Sequence, residues 1–75
     1  MEYKYFLFTK LTCPMCIGVK KLAKNKKEIK IVSLDEQPTF IDKYHISSLP
    51  SMYDFEKESM IYNALIMRKK IKEAN

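Results

Sequence analysis

This sequence is poor in the residues from which metal sites, membrane spans and glycine-lined ligand cradles are built. It has two cysteines, Cys13 and Cys16, and the only further nitrogen or sulfur ligand of the usual kind is His45. A structural zinc site takes about four such ligands, so no metal site is expected. Apolar runs such as Tyr5 to Phe8 fall far short of the roughly 20 residues that cross a bilayer. No apolar h-region with a small-residue cleavage site follows a basic start, so residues 1–8 read as a strand rather than a signal peptide. Glycine occurs once, as Gly18 within an apparent helix, and glycine is what lets a backbone approach a small ligand closely. Tryptophan is absent. No repeat, low-complexity tract or linker divides the 75 residues, and the length suits a single domain spanning 1–75. Domains this small bury only about 60% of their unfolded surface, so the core is thin. At 47% hydrophobic residues, with Phe and Tyr clustered, the chain can still build one. A soluble, cytoplasmic, monomeric protein is the expectation.

The net charge of +5 is carried by lysines and a single arginine, Arg68. Lysines gather at Lys20, Lys21, Lys24, Lys26, Lys27 and Lys30, and again at Lys69, Lys70 and Lys72. Helix ends explain such clusters, since cations favour the negative end of the macrodipole. They also leave open a basic surface for an acidic protein partner. No aromatic residues interleave them, so nucleic acid is not expected as a partner.

Met1 to Thr9 is aromatic and continuously apolar in its second half, as suits a central strand buried on both faces. Thr12 offers a hydroxyl N-cap, and Pro14 stands where a first-turn proline is tolerated. A helix is predicted from Pro14 to Asn25, with Cys16, Val19, Leu22 and Ala23 on its buried stripe. Glu28 to Leu34 alternates Ile29, Ile31 and either Val32 or Leu34 with polar residues, a second strand. The intervening helix makes the two strands a parallel βαβ pair. Thr39 to Tyr44 supports a short helix carrying Phe40 and Ile41, and Ser47-Ser48-Leu49-Pro50-Ser51 ends it. A third strand starts at Met52, Tyr53 and Phe55, Glu56-Lys57-Glu58 turns the chain, and Ser59 to Tyr62 returns antiparallel. Ala64, Leu65, Met67, Arg68 and Ile71 make a last amphipathic helix, with Met67 and Ile71 toward the sheet. The order β-α-β-α-β-β-α describes an α/β fold, a four-stranded mixed sheet with three helices on its two faces. Met52, Met60 and Met67 read as gap-filling core, Tyr44, Tyr53 and Phe55 as sheet or core residues, and His45 as a surface or capping residue.

Cys13-Pro14-Met15-Cys16 at a strand-to-helix junction carries the chemistry. Only a thiolate attacks a disulfide, and an ordinary cysteine, with a pKa of about 8.5, is mostly protonated at neutral pH. Unpaired N–H groups and the positive dipole end at a helix start favour a Cys13 thiolate. Cys16 lies three residues on, along the same face, where it can resolve a mixed disulfide on Cys13. Cys13 is thus the expected nucleophile and Cys16 the resolving thiol. A disulfide closing so short a loop adds little stability, which favours chemistry over stapling.

The segment from Phe8 to Cys16 resembles the active-site segment of glutaredoxins, including Lys10 three residues before the first cysteine. Ser48-Leu49-Pro50 resembles their second landmark, a dipeptide ending in a cis-proline beside the disulfide. The resemblance implies a thioredoxin-like fold, dithiol exchange, and a substrate strand pairing with the backbone at Leu49. It adds Lys10, Thr12, Pro14, Met15, Leu49 and Pro50 as substrate-binding residues. It further implies a disulfide-containing protein substrate, with ribonucleotide reductase as one candidate. Glutathione or a flavoprotein disulfide reductase is then the electron source, and no cofactor is bound. The chain departs from glutaredoxins where a Gly-Gly pair would precede the last helix: here stand Ile61-Tyr62-Asn63-Ala64, and Tyr62 obstructs close approach by glutathione. Met15 replaces the commoner tyrosine, and neither a tryptophan before Cys13 nor an acidic residue within Tyr3 to Phe8 links the chain to thioredoxins proper. Two other readings stay open. A helix-opening dithiolate can hold a soft metal or part of an iron–sulfur cluster, although Pro14 stiffens the loop against it. The domain can also be a non-catalytic, basic interaction module.

Overall fold

In the computed structural model, residues 3–75 are described, and Met1 and Glu2 of the expected first strand lie outside them. The chain forms β1 (Tyr5–Thr9), α1 (Cys16–Ala23), β2 (Ile29–Ser33), α2 (Thr39–Lys43), β3 (Ser51–Asp54), β4 (Ser59–Ile61) and α3 (Ala64–Glu73). One mixed sheet has the order β2-β1-β3-β4. β1 runs parallel to β2, with Leu7 opposite Ile31, and antiparallel to β3, with Phe8 opposite Ser51. β3 and β4 are antiparallel neighbours. β1 begins at Tyr5, later than the expected strand, and its Leu7 and Phe8 are fully buried on opposite faces.

Alternation along the strands divides the core in two. On one face Leu7, Ile29 and Met52 meet Val19 and Ala23 of α1 and Met67 and Ile71 of α3. On the other, Phe8, Val32 and Leu34 lie beneath Phe6, Phe40, Tyr44, Tyr53 and Met60. The open choice between Val32 and Leu34 resolves into both. Ile29 and Ile31 serve the first face, and Val32 and Leu34 serve the second. Leu34 lies beyond the last strand residue, yet its N–H still donates to the Thr9 carbonyl at 2.9 Å.

Several expected boundaries contract. α1 begins at Cys16 rather than Pro14 and ends at Ala23 rather than Asn25. At its start, Cys16 N–H reaches Cys13 O at 3.1 Å and Ile17 N–H reaches Pro14 O at 3.3 Å. At its end, Lys26 N–H reaches Ala23 O at 3.0 Å. These are i→i+3 turns, tighter than the α ladder they flank. Met15, not Thr12, therefore occupies the N-cap position, and no side chain caps the helix there. α2 stops at Lys43, one residue short of the expected Tyr44. His45 N–H then bonds Asp42 O and Ile46 N–H bonds Ile41 O, with His45 at φ 53°. That is a Schellman end, with histidine where glycine usually sits, and it gives His45 its capping role. Phe55 falls outside β3, because the Asp54 carboxylate accepts the Glu56 and Lys57 N–H groups and closes the turn there. β4 ends at Ile61, before Tyr62. α3 is capped by Asn63, whose side chain accepts the Leu65 and Ile66 N–H groups at 2.9 and 3.1 Å. Met67 and Ile71 are buried as expected, but Leu65 is 79% exposed. Among the described residues, no helix is long and apolar enough to cross a membrane.

Candidate functional site

β1 ends at Thr9, and the chain must then turn from a buried strand into α1. It does so through a bonded loop. Cys13 N–H donates to the Lys10 carbonyl at 3.2 Å, and Leu11 N–H donates to the Asp35 carboxylate at 2.7 Å. Asp35 follows β2, so the parallel neighbour holds the cysteine loop in place. No local sequence signal marks this pair, whose members lie 24 positions apart.

Cys13 and Cys16 are joined as a disulfide, with Cα atoms 5.3 Å apart. Their environments differ sharply. Cys13 is half-buried in the turn, whereas Cys16 is completely buried in the first turn of α1. Incoming molecules therefore meet the Cys13 sulfur first. Around it the surface is apolar and exposed: Leu11, Met15 and Ile17 all project into solvent, Met15 at 68% exposure. Thr12 and Pro14 are exposed on the same loop. Leu11 and Ile17 were not predicted for the site; Ile17 was detectable, because it falls off the stripe made by Cys16, Val19 and Ala23.

The second landmark comes to the same end of the sheet. Ser51 pairs with Phe8 near the C-terminal end of β1, so Leu49 and Pro50 arrive beside the strand end from which the cysteine loop leaves. The Leu49–Pro50 peptide bond is cis. Pro50 is buried, and the buried Ser51 hydroxyl has no hydrogen-bond partner among the described residues. Lys10 and Leu49 line one groove of about 300 Å³ together with Leu34, Ile41, Ile46 and the Ser47-Ser48 segment. Of the predicted site residues, the structure brings Lys10 and Leu49 together in this groove. Thr12, Pro14 and Met15 stand outside it, on the disulfide loop.

Tyr62, beyond β4, reaches across toward this segment. Its hydroxyl donates to the His45 carbonyl at 3.3 Å and accepts from Ser47 N–H at 3.4 Å. The side chain thus links the residues after β4 to those after α2. Among the described residues, no group of three or more His, Cys, Asp or Glu side chains is arranged to hold a metal ion. The arrangement is chemically suited to one accessible sulfur attacking an external sulfur and one enclosed sulfur displacing it. No known protein family matches this chain, nor does any curated protein or solved structure.

Proposed function

We propose that this chain is a dithiol–disulfide oxidoreductase of thioredoxin-like fold that reduces disulfides in protein substrates. The observation that carries the reading is the unequal burial of the Cys13–Cys16 pair at the opening of α1. The element order β-α-β-α-β-β-α, and the arrival of the Pro50 segment at the same end of the sheet as the cysteine loop, support the fold assignment.

In the reduced protein, Cys13 lies at the positive end of α1, where its thiolate is favoured. The thiolate attacks one sulfur of a substrate disulfide, forming a mixed disulfide, and the other substrate sulfur leaves as a thiolate. Cys16, deprotonated as it attacks, then displaces the first substrate sulfur from Cys13. The substrate gains two electrons and, with solvent protons, ends as a dithiol. The protein ends with the Cys13–Cys16 disulfide. Regeneration needs an outside dithiol or thiol pair, supplied by a flavoprotein disulfide reductase or by two glutathione molecules. Leu49 offers its backbone to an extended substrate segment, Pro50 shapes the wall beside the disulfide, and Lys10 attracts a substrate carboxylate. Thr12, Pro14 and Met15 form the loop surface on which the substrate rests. Met15 suits varied partners because its side chain is apolar and flexible. Such a carrier works as a monomer in the cytoplasm, where thiols are kept reduced.

Equilibration in defined thiol buffers, read by alkylation and mass spectrometry, tests the proposal. A potential of roughly −270 to −180 mV is expected for the pair. Cys13→Ser abolishes insulin-disulfide reduction, whereas Cys16→Ser accumulates a mixed disulfide on Cys13. Full turnover by Cys13→Ser would sink the mechanism.

A further inference from the structure

Between α1 and the edge strand β2 lies an open trough of about 330 Å³, separate from the groove that Lys10 and Leu49 line. Ile17, Lys20, Lys21 and Lys24 line it from the helix and Ile31 from the strand. The four helix positions are i, i+3, i+4 and i+7, which share one face. That face is neither a core stripe nor an ordinary solvated one. Ile17 is 56% exposed at its start, next to Cys16, and lysine stems flank an apolar floor.

Charge points to the occupant. From Tyr3 to Lys27 the sequence has seven lysines and no acidic residue. Lys26 is engaged, its ammonium donating to the Ala74 and Lys72 carbonyls. Lys20, Lys21 and Lys24 instead border the trough. A row of cations along an aliphatic floor complements a chain that carries carboxylates around an aliphatic side chain. A nucleic acid would find the cations but no aromatic ring in the trough on which to stack a base.

We infer that the trough formed by Ile17, Lys20, Lys21, Lys24 and Ile31 is a docking site for an acidic segment of a protein partner. An aliphatic side chain of that segment sits on Ile17 and Ile31, and its carboxylates meet the three lysines. The site goes beyond the redox reading and does not require it, because docking needs no exchange at Cys13. Where both hold, docking beside Cys16 raises the local concentration of a partner disulfide near Cys13.

Fluorescence anisotropy on the full, oxidised chain tests the inference with a labelled peptide of glutamates flanking one central leucine. Binding is expected, weakening with added salt. Replacing the leucine by serine, or Ile17→Gln in the protein, weakens it severalfold. Combined Lys20→Glu, Lys21→Glu and Lys24→Glu weakens it by about tenfold or more, given modest contributions from each exposed pair. Lys69→Glu with Lys72→Glu, on α3, leaves it unchanged, and circular dichroism confirms that each variant is folded. Equal loss from the α3 reversals would overturn the site, since the effect would then be net charge alone. Absence of peptide binding would overturn it as well. So would tighter binding of labelled oligothymidylate through the same three lysines, which would make the trough a nucleic-acid site.

Discussion

The two faces of the sheet are covered by different means. On one, α1 and α3 lay aliphatic and methionine side chains over Leu7 and Met52, and Val19, Met67 and Ile71 are at most 1% exposed. On the other, α2 has only five residues, none of them buried. Aromatic rings do the covering there. Phe6 meets Phe55 edge-on with centroids 4.7 Å apart, Tyr44 lies 4.8 Å from Tyr53, and Phe8 lies 5.4 Å from Tyr44. A ring brings large apolar area without needing a long helix to carry it, and favourable ring geometry adds about 0.5–1.5 kcal/mol per pair. A thin domain can therefore close one face with helices and the other with its own large side chains. The enclosed face is the one that holds the buried Cys16 end of α1.

Truncating one side chain on each face should separate the two kinds of cover. Met67→Ala removes a fully enclosed side chain between two helices and the sheet, and a loss of about 2–5 kcal/mol is expected. Phe40→Ala removes a half-exposed ring whose neighbours can shift into the gap, and its cost should be smaller. Urea unfolding of both variants checks this, and equal losses would mean the ring face is as tightly packed as the helical one.

A smaller effect is expected at the end of α2. His45 holds a left-handed conformation at a position that glycine occupies without steric penalty. His45→Gly should stabilise the protein by about 0.5–1 kcal/mol, read from the urea midpoint. A loss would show that the added freedom of glycine in the unfolded chain outweighs the relief of the left-handed backbone.

The last contrast is an alkaline one on the helical face. Tyr5 packs against that core, and burial first, then Asp54, Glu56, Glu28 and Glu73, raise its pKa above the ordinary value. The folded chain keeps the phenol proton where the unfolded chain releases it. This contribution is whole below the ordinary tyrosine pKa of about 10, and is lost as pH rises through the higher folded value. Tyr5→Phe should flatten the fall in thermal midpoint above that pH. An unchanged slope would remove Tyr5 as its cause.

Much of the element order was legible because the strands are short apolar runs and the first helix has a regular stripe. Cys16, Val19 and Ala23 needed nothing beyond helical spacing. In the last helix the i, i+4 spacing of Met67 and Ile71 marked the side toward the sheet, but the run of apolar residues hid that Leu65 and Ile66 project out. Thr12 misled because the capping rule presumes an α turn at once, whereas this chain first winds through tighter turns around Pro14. The cysteine pair was plain in the sequence, and its unequal burial followed from placing Cys16 on the inner stripe. The cis bond at Pro50 rested on family resemblance, since local sequence physics favours trans. Asp35 holding Leu11, and Tyr62 holding the segment after α2, depend on contacts between distant positions. No window along the chain contains both partners.

The Tyr62 bridge also has a mechanical consequence. Its hydroxyl fastens the start of α3 to His45 and Ser47, just ahead of the strand that begins after Pro50. Both bonds are long and exposed, so either breaks readily in thermal motion. Through them the segment leading to Leu49 is tethered to the residues that open α3. A single phenol thus ties the segment that opens the last helix to the segment leading into one wall of the groove.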